Sequence, residues 1–228
     1  MTGRPPSLSL RATGKVAEMA APRFAQSQRY VPLPASSSLA AMGLERWLEA
    51  AAESPVPGVG DRARLLAADS HTRRLLDGIF GNSPFLAQSA AAEPEVLCEI
   101  LDQGPDGVVA RVQEALRSHH FRKGEDRGAS INARRDSPAH PALPAEEAVL
   151  MRALRIAKRR LALAVAIADI AGAWTLAQVV ETLSDFADAA LGATCAYLLR
   201  QVAANGAFAL VDGACPERGS GLVILGMG

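Results

Sequence analysis

Two groups of residues in this chain have the types and spacing to do chemistry. Arg152, Arg155 and Arg159 fall at i, i+3 and i+7, so a helix would carry three guanidinium groups on one face, where they could hold a phosphate or a carboxylate. Gly226 and Gly228 follow the aliphatic run 222–225, which reads as a short buried strand. Glycines placed directly after such a strand let backbone N–H groups approach a phosphoryl group with no Cβ in the way. Each feature also has a plain structural reading. An arginine face is commonly solvated and paired locally, and Gly-x-Gly is an ordinary turn.

The remaining reactive residues make no obvious site. His119 and His120 are adjacent and would lie on different faces of a helix, while His71 and His140 are distant in sequence, so the histidines suggest no metal centre. Cys98, Cys195 and Cys215 are odd in number, widely spaced and without a Cys-x-x-Cys pair, which argues against a disulfide framework and for a reducing cytoplasm. The formal net charge of zero removes the global electrostatic case for nucleic acid. Arg4, Arg11 and Lys15 have no continuous apolar segment behind them, so a secretory signal is not expected. Residues 161–180 are apolar, but Asp169, Gly172 and Gln178 interrupt them, and a buried helix pair fits better than a membrane span.

The elements that must position these residues are helical. Of 228 residues, 49% are hydrophobic and only 4% aromatic, with abundant alanine, which favours helices packed through small side chains. Residues 1–37 carry five prolines among Ser, Arg and Ala and read as a mobile leader or a loosely docked arm. A helical subdomain is expected over 38–118. Within it, Ser36, Ser37 and Ser38 offer caps to a first helix bearing Leu44, Trp47 and Leu48, and a second helix runs from about Asp61, as its cap, to Phe80. Ser83-Pro84 and Glu93-Pro94 each restart a helix with proline at its first position. After the turn at 104–107, Val108, Val109, Val112 and Leu116 recur at helical spacing. Residues 119–144 read as a polar surface loop, and 145–206 as a pair of long helices. A brief extended segment over 208–211 and a strand near 222–226 complete the expectation.

The order of the motifs carries a resemblance. Phe80-Gly81-Asn82-Ser83-Pro84-Phe85-Leu86, then Glu93-Pro94, then Leu150-Met151-Arg152-Ala153-Leu154-Arg155 with Lys158-Arg159-Arg160, and finally the Leu-Gly-Met-Gly ending at Gly228, together resemble the N-terminal part of the bifunctional glutamine synthetase adenylyltransferase/adenylyl-removing enzymes. The resemblance covers about residues 40–228. It implies a mostly α fold, a helical bundle leading into the first strand of a polymerase β-like nucleotidyltransferase domain that begins at about 207. In that family a second strand bears an Asp-x-Asp pair for Mg2+, since phosphoryl transfer needs divalent cations to neutralise the attacking and leaving oxygens. This pair is absent from the chain. The resemblance therefore implies no catalytic and no metal-ligating residue here. It implies a nucleotide-phosphate loop beginning at Gly226 and Gly228, and a phosphate or partner contact at Arg152, Arg155 and Arg159.

The implied activities of the whole enzyme are addition of AMP from ATP to a tyrosine of glutamine synthetase, and phosphorolysis of that adenylyl group to ADP. The implied partners are glutamine synthetase, ATP, ADP, phosphate and a nitrogen-signalling regulatory protein, with no nucleic acid and no membrane. The expectation for the present chain is an inactive N-terminal fragment. Two other readings stand beside it: a helical interaction module without catalysis, and a dinucleotide-binding domain whose Gly-x-Gly-x-x-Gly turn opens at Gly226.

Overall fold

The computed structural model describes residue 24 and residues 31–117, 145–213 and 215–225. These residues form helices joined by short turns: α1 (Ser37–Ala52), α2 (Val59–Ala68), α3 (Ser70–Asn82), α4 (Pro84–Ala92), α5 (Pro94–Gln103), α6 (Asp106–Arg117), α7 (Ala145–Ile170) and α8 (Leu176–Ala204). The loop expected over 119–144 lies outside the described residues.

Local chemistry sets most helix starts. The Ser36 hydroxyl accepts from Leu39 N–H at 3.2 Å and caps α1, and Ser83 accepts from Leu86 N–H and caps α4, with Pro84 at its first position. Thr175 and Gln178 form a reciprocal capping box at the start of α8. The single helix expected from Asp61 to Phe80 is instead two. Asp69 adopts an extended backbone between them, and its carboxylate accepts from both the N–H and the hydroxyl of Thr72, so it caps α3 and breaks the run. Asp61 is not the cap of α2. Gly58 holds that position in the left-handed conformation, and Asp61 sits in the first turn, where the helix dipole favours an acid.

Packing follows the apolar stripes. In α1, Ala40, Gly43, Leu44, Trp47 and Ala51 are buried at i, i+3, i+4, i+7 and i+11. Gly43 lets α1 approach α3: a Cβ there would stand 2.7 Å from Phe80 Cβ. Helices α1 to α5 form one layered array whose core includes Trp47, Leu66, Leu75, Phe80, Leu97 and Leu101. Leu161, Leu163 and Ile167 of α7 belong to the same core, and α6 packs against both α7 and α8. The two long helices are antiparallel, joined by a turn at Gly172, and Glu147 and Glu146 at the start of α7 lie near Tyr197 towards the end of α8. No described helix is long and apolar enough to cross a membrane.

Residues 31–36 run along α3. A Cβ on Gly78 would meet Pro32 O at 2.5 Å, and one on Gly81 would meet Pro34 Cβ at 2.5 Å and Ser36 O at 2.9 Å. Asn82 completes this seat, accepting from Ala35 N–H at 3.0 Å and donating to Leu33 O at 2.9 Å.

The strand expected over 222–226 is not formed among the described residues, and residues 208–211 form no strand either. Leu222, Val223, Ile224 and Leu225 are 52%, 75%, 50% and 82% exposed. Strand geometry is held by a neighbouring backbone, and no described segment pairs with this one. Aliphatic content alone thus marked a segment suited to a sheet, without the sheet.

Asp69 gives a measurable consequence. Backbone and side-chain hydrogen bonds from Thr72 hold its carboxyl below the ordinary carboxylate range, against a smaller opposing effect of burial. Asp69→Ala should cost about 1 kcal/mol at pH 7, a usual value for a lost cap. Because the folded-state value is depressed, this stabilisation is present above the unfolded pKa of about 3.9 and is lost as pH falls through the folded value. Urea unfolding of both proteins at pH 7 and pH 3 should show the difference shrinking at the lower pH.

Candidate functional site

The arginine-bearing face of α7 is the candidate site, and the structure divides it. Arg159 and Arg160, successive residues, both reach Glu93 at the junction of α4 and α5. Arg159 Nη1 donates to Glu93 Oε1 at 3.3 Å and Arg160 Nε donates to Oε2 at 2.7 Å. The Glu93 side chain is only 7% exposed, whereas the two arginines are 36% and 45% exposed. A buried carboxylate between two half-buried cations satisfies both oxygens and avoids the cost of an unpaired charge.

Glu93 is held from its backbone as well. Its N–H donates to Ser89 O and Ala90 O to close α4, and its carbonyl accepts from Leu97 N–H to open α5. Pro94, at the first position of α5, needs no donor there. One residue therefore ends a helix, begins the next and anchors α7 to both.

Arg152 and Arg155 lie nearer the start of α7 and are exposed. Of the three arginines singled out by spacing, Arg159 is paired with Glu93, and neither Arg152 nor Arg155 joins that contact. The spacing gave no hint of Arg160, which the structure places on the same carboxylate. Long flexible stems let neighbouring arginines converge from different helical angles, so i, i+3 periodicity misses the pair. The signal that could have found it was Glu93 itself, an acid before a proline in an apolar stretch, which requires a cation when buried.

Beside this clasp, Val96, Val112, Leu116, Ala153, Ile156 and Arg160 line a groove of about 670 Å3 between α5, α6 and α7. Arg111, also on its wall, is paired with Glu99 at 2.5 Å. The groove is largely apolar and offers no nucleophile. Cys98 is buried, and desolvation pushes its thiol up to about 12, with the nearby Arg62 opposing this and Glu95 reinforcing it, so it is no thiolate at neutral pH. Among the described residues, no three His, Cys, Asp or Glu side chains are grouped to hold a metal ion. Tyr197 is raised by desolvation, then by Glu147 and Glu146, and its hydroxyl accepts from Gln201. Gly226 and Gly228 lie outside the described residues.

Comparison with known proteins decides the family. A family model for glutamate-ammonia ligase adenylyltransferase matches residues 73–228. The chain belongs to this family. A relative from Rhizobium meliloti, a bifunctional glutamine synthetase adenylyltransferase/adenylyl-removing enzyme, is 36% identical over 166 residues, which are 73% of this chain and 15% of that protein. A relative of the same description from Bradyrhizobium diazoefficiens is 33% identical over 214 residues, 94% of this chain and 19% of that protein. One from Agrobacterium fabrum is 35% identical over 73% of this chain. The chain thus spans less than a fifth of the length of these relatives. No solved structure matches it. Family membership sets aside the dinucleotide-binding alternative.

The clasp predicts an asymmetry. Removing both cations, in Arg159→Ala/Arg160→Ala, leaves the Glu93 carboxylate buried and unpaired and should cost about 3 kcal/mol, the low end of the range for broken buried pairs because solvent screens both arginines. Adding Glu93→Gln removes the stranded charge and should recover part of that loss. Denaturant unfolding of the double and triple variants checks the order, and equal stabilities would refute it.

Proposed function

We propose that this chain is the helical subdomain leading into the first nucleotidyltransferase domain of an enzyme that adenylylates and deadenylylates glutamine synthetase. The match of residues 73–228 to the family carries the reading, together with relatives whose descriptions contain both activities. In the whole protein the substrates would be ATP for adenylylation, and phosphate with adenylylated glutamine synthetase for removal of AMP, releasing ADP. A nitrogen-signalling protein would set the balance, and the reaction would run in the cytoplasm.

The chemistry defines what this part can contribute. Mg2+ would supply neutralisation of charge on the transferring phosphoryl group, and carboxylates on one strand face would have to hold it. The described residues contain no such group of ligands, so they do not fit the metal. Their role in this reading is to carry the segment that ends in Gly226 and Gly228, whose backbone N–H groups would line the nucleotide phosphates. The α7 clasp supports such a role, because Glu93 fixes a 26-residue helix to the preceding array. Arg152 and Arg155, exposed on that helix, would meet a phosphate or an acidic patch of glutamine synthetase, while Arg159 would act only by positioning α7.

Two measurements test the proposal. This polypeptide alone, given adenylylated glutamine synthetase, phosphate and Mg2+, should release no ADP, whereas a longer polypeptide including the following domain should. Metal-dependent release by the 228-residue chain would overturn the assignment. In the longer form, Arg155→Glu should lower activity or glutamine synthetase binding by about tenfold, the loss expected when one charge-assisted contact worth about 1.5 kcal/mol is reversed. Its salt dependence should fall as well. Unchanged activity would return Arg155 to the solvated surface.

A further inference from the structure

Helix α8 has two apolar faces, and the fold uses one. At 100° per residue, Val179, Phe186, Ala189, Ala193 and Ala196 lie on one side, buried or half-buried. Leu176, Val180, Leu183, Leu191, Leu198 and Val202 fall within an arc of about 100° on an adjacent side. Those six are 75%, 53%, 46%, 46%, 51% and 43% exposed. The stripe runs almost the whole 29-residue helix. Near its middle, Leu222 and Ile224 join Ala187 and Leu191 around one surface groove of about 360 Å3. The exposed aliphatic run 222–225 therefore extends the same patch.

Soluble domains rarely leave so long a contiguous apolar surface uncovered. A helix with an apolar arc this wide belongs inside a larger core. The known relatives are more than five times as long as the stretch they share with this chain. We infer that the exposed face of α8 and the run 222–225 form an intramolecular docking surface for the part of a full-length family member outside the matched region. The inference rests on the proposed function only in taking this chain as part of such a polypeptide. Exposed Glu181 and Asp188 border the stripe on one side, so the surface that covers it should be apolar at its centre with a basic rim facing them.

The test compares this chain alone with two other states. One is a joined polypeptide, in which this sequence is followed by the remaining length of the Rhizobium meliloti relative; the other is this chain mixed with that remaining part as a separate protein. Hydroxyl-radical labelling reads the side chains of Leu183 and Leu191. Covering residues that are 46% exposed should slow their labelling about fivefold, the ratio to a core residue less than about a tenth exposed. Leu183→Asp and Leu191→Asp should leave the melting temperature of this chain unchanged and abolish the protection in the joined or mixed state. Leu183→Met should retain it. Protection in either format, lost in the Asp variants, supports the inference, and no protection in both overturns it. Protection that rises with the concentration of this chain alone, with none added by the remaining part, assigns the face to a second copy and overturns it too. Labelling does not depend on activity: an inactive joined protein with a protected stripe counts against the proposed function alone, and an active one with an exposed stripe counts against the docking surface alone.

Discussion

A single buried carboxylate holds the two halves of this molecule in register. Glu93 sits where α4 ends and α5 begins, and its two oxygens are taken by two arginines of α7. A pair of this kind adds little net stability, since desolvation offsets most of its attraction. Its effect is conditional: once the carboxylate is buried, every arrangement of α7 that fails to bring a cation to it costs several kcal/mol. Apolar packing of Leu161, Leu163 and Ile167 against the array would tolerate rotation or sliding of the helix. Two charge-assisted bonds from adjacent residues to one fixed acid tolerate much less. The direction in which α7 leaves the array, and with it α8, is thus set by a polar contact within an apolar interface.

One of the motifs that carry the resemblance is a scaffold motif. In Phe80-Gly81-Asn82-Ser83-Pro84-Phe85-Leu86, each residue up to the proline has a structural duty. Phe80 fills the core beneath Gly43, and Gly81 makes room for Pro34. Asn82 binds the passing backbone of residues 33 and 35, Ser83 caps α4 and Pro84 begins it. None of them offers a nucleophile, base or metal ligand to a substrate. The motif serves the intersection of two helices and an extended segment, a structural demand separate from any chemistry.

Much of the fold was legible because helix boundaries are written in local chemistry. Ser36, Ser83-Pro84, Glu93-Pro94 and Thr175 each announce a start that the structure contains. Asp69 carries the same signal, an acid three residues before a buried threonine, but the apolar period continues across it and hides the break. The strand failed for a different reason. Strand formation depends on a partner backbone distant in sequence, and four aliphatic residues carry no information about whether that partner is beside them. The candidate site was legible only in half. Helical spacing placed Arg152, Arg155 and Arg159 together, but the contact that forms joins Arg159 and Arg160 to an acid 66 and 67 residues away. Periodicity describes one helix at a time and is blind to such pairs.

The same separation between local and long-range information explains the uneven surface of α8. Its start is fixed locally by the Thr175 and Gln178 box, and its end by Asn205 with Gly206 in the left-handed conformation. Between them, twenty-nine residues rise about 43 Å, at about 1.5 Å each, which is longer than its partner α7. Buried positions on α8 are confined to Val179, Ala193 and Ala196, two of them alanine, so its present contacts bury little side-chain volume for its length. A helix of that length is not sustained by caps alone, because most helical stability in proteins comes from packing of an apolar face. Val179 and the half-buried Phe186 are the large side chains on its packed face, whereas Leu176, Val180, Leu183, Leu191, Leu198 and Val202 remain exposed among the described residues. The sequence of α8 is therefore suited to two neighbours, one already in place against Val179, Phe186, Ala193 and Ala196, and one that the exposed leucines and valines would engage.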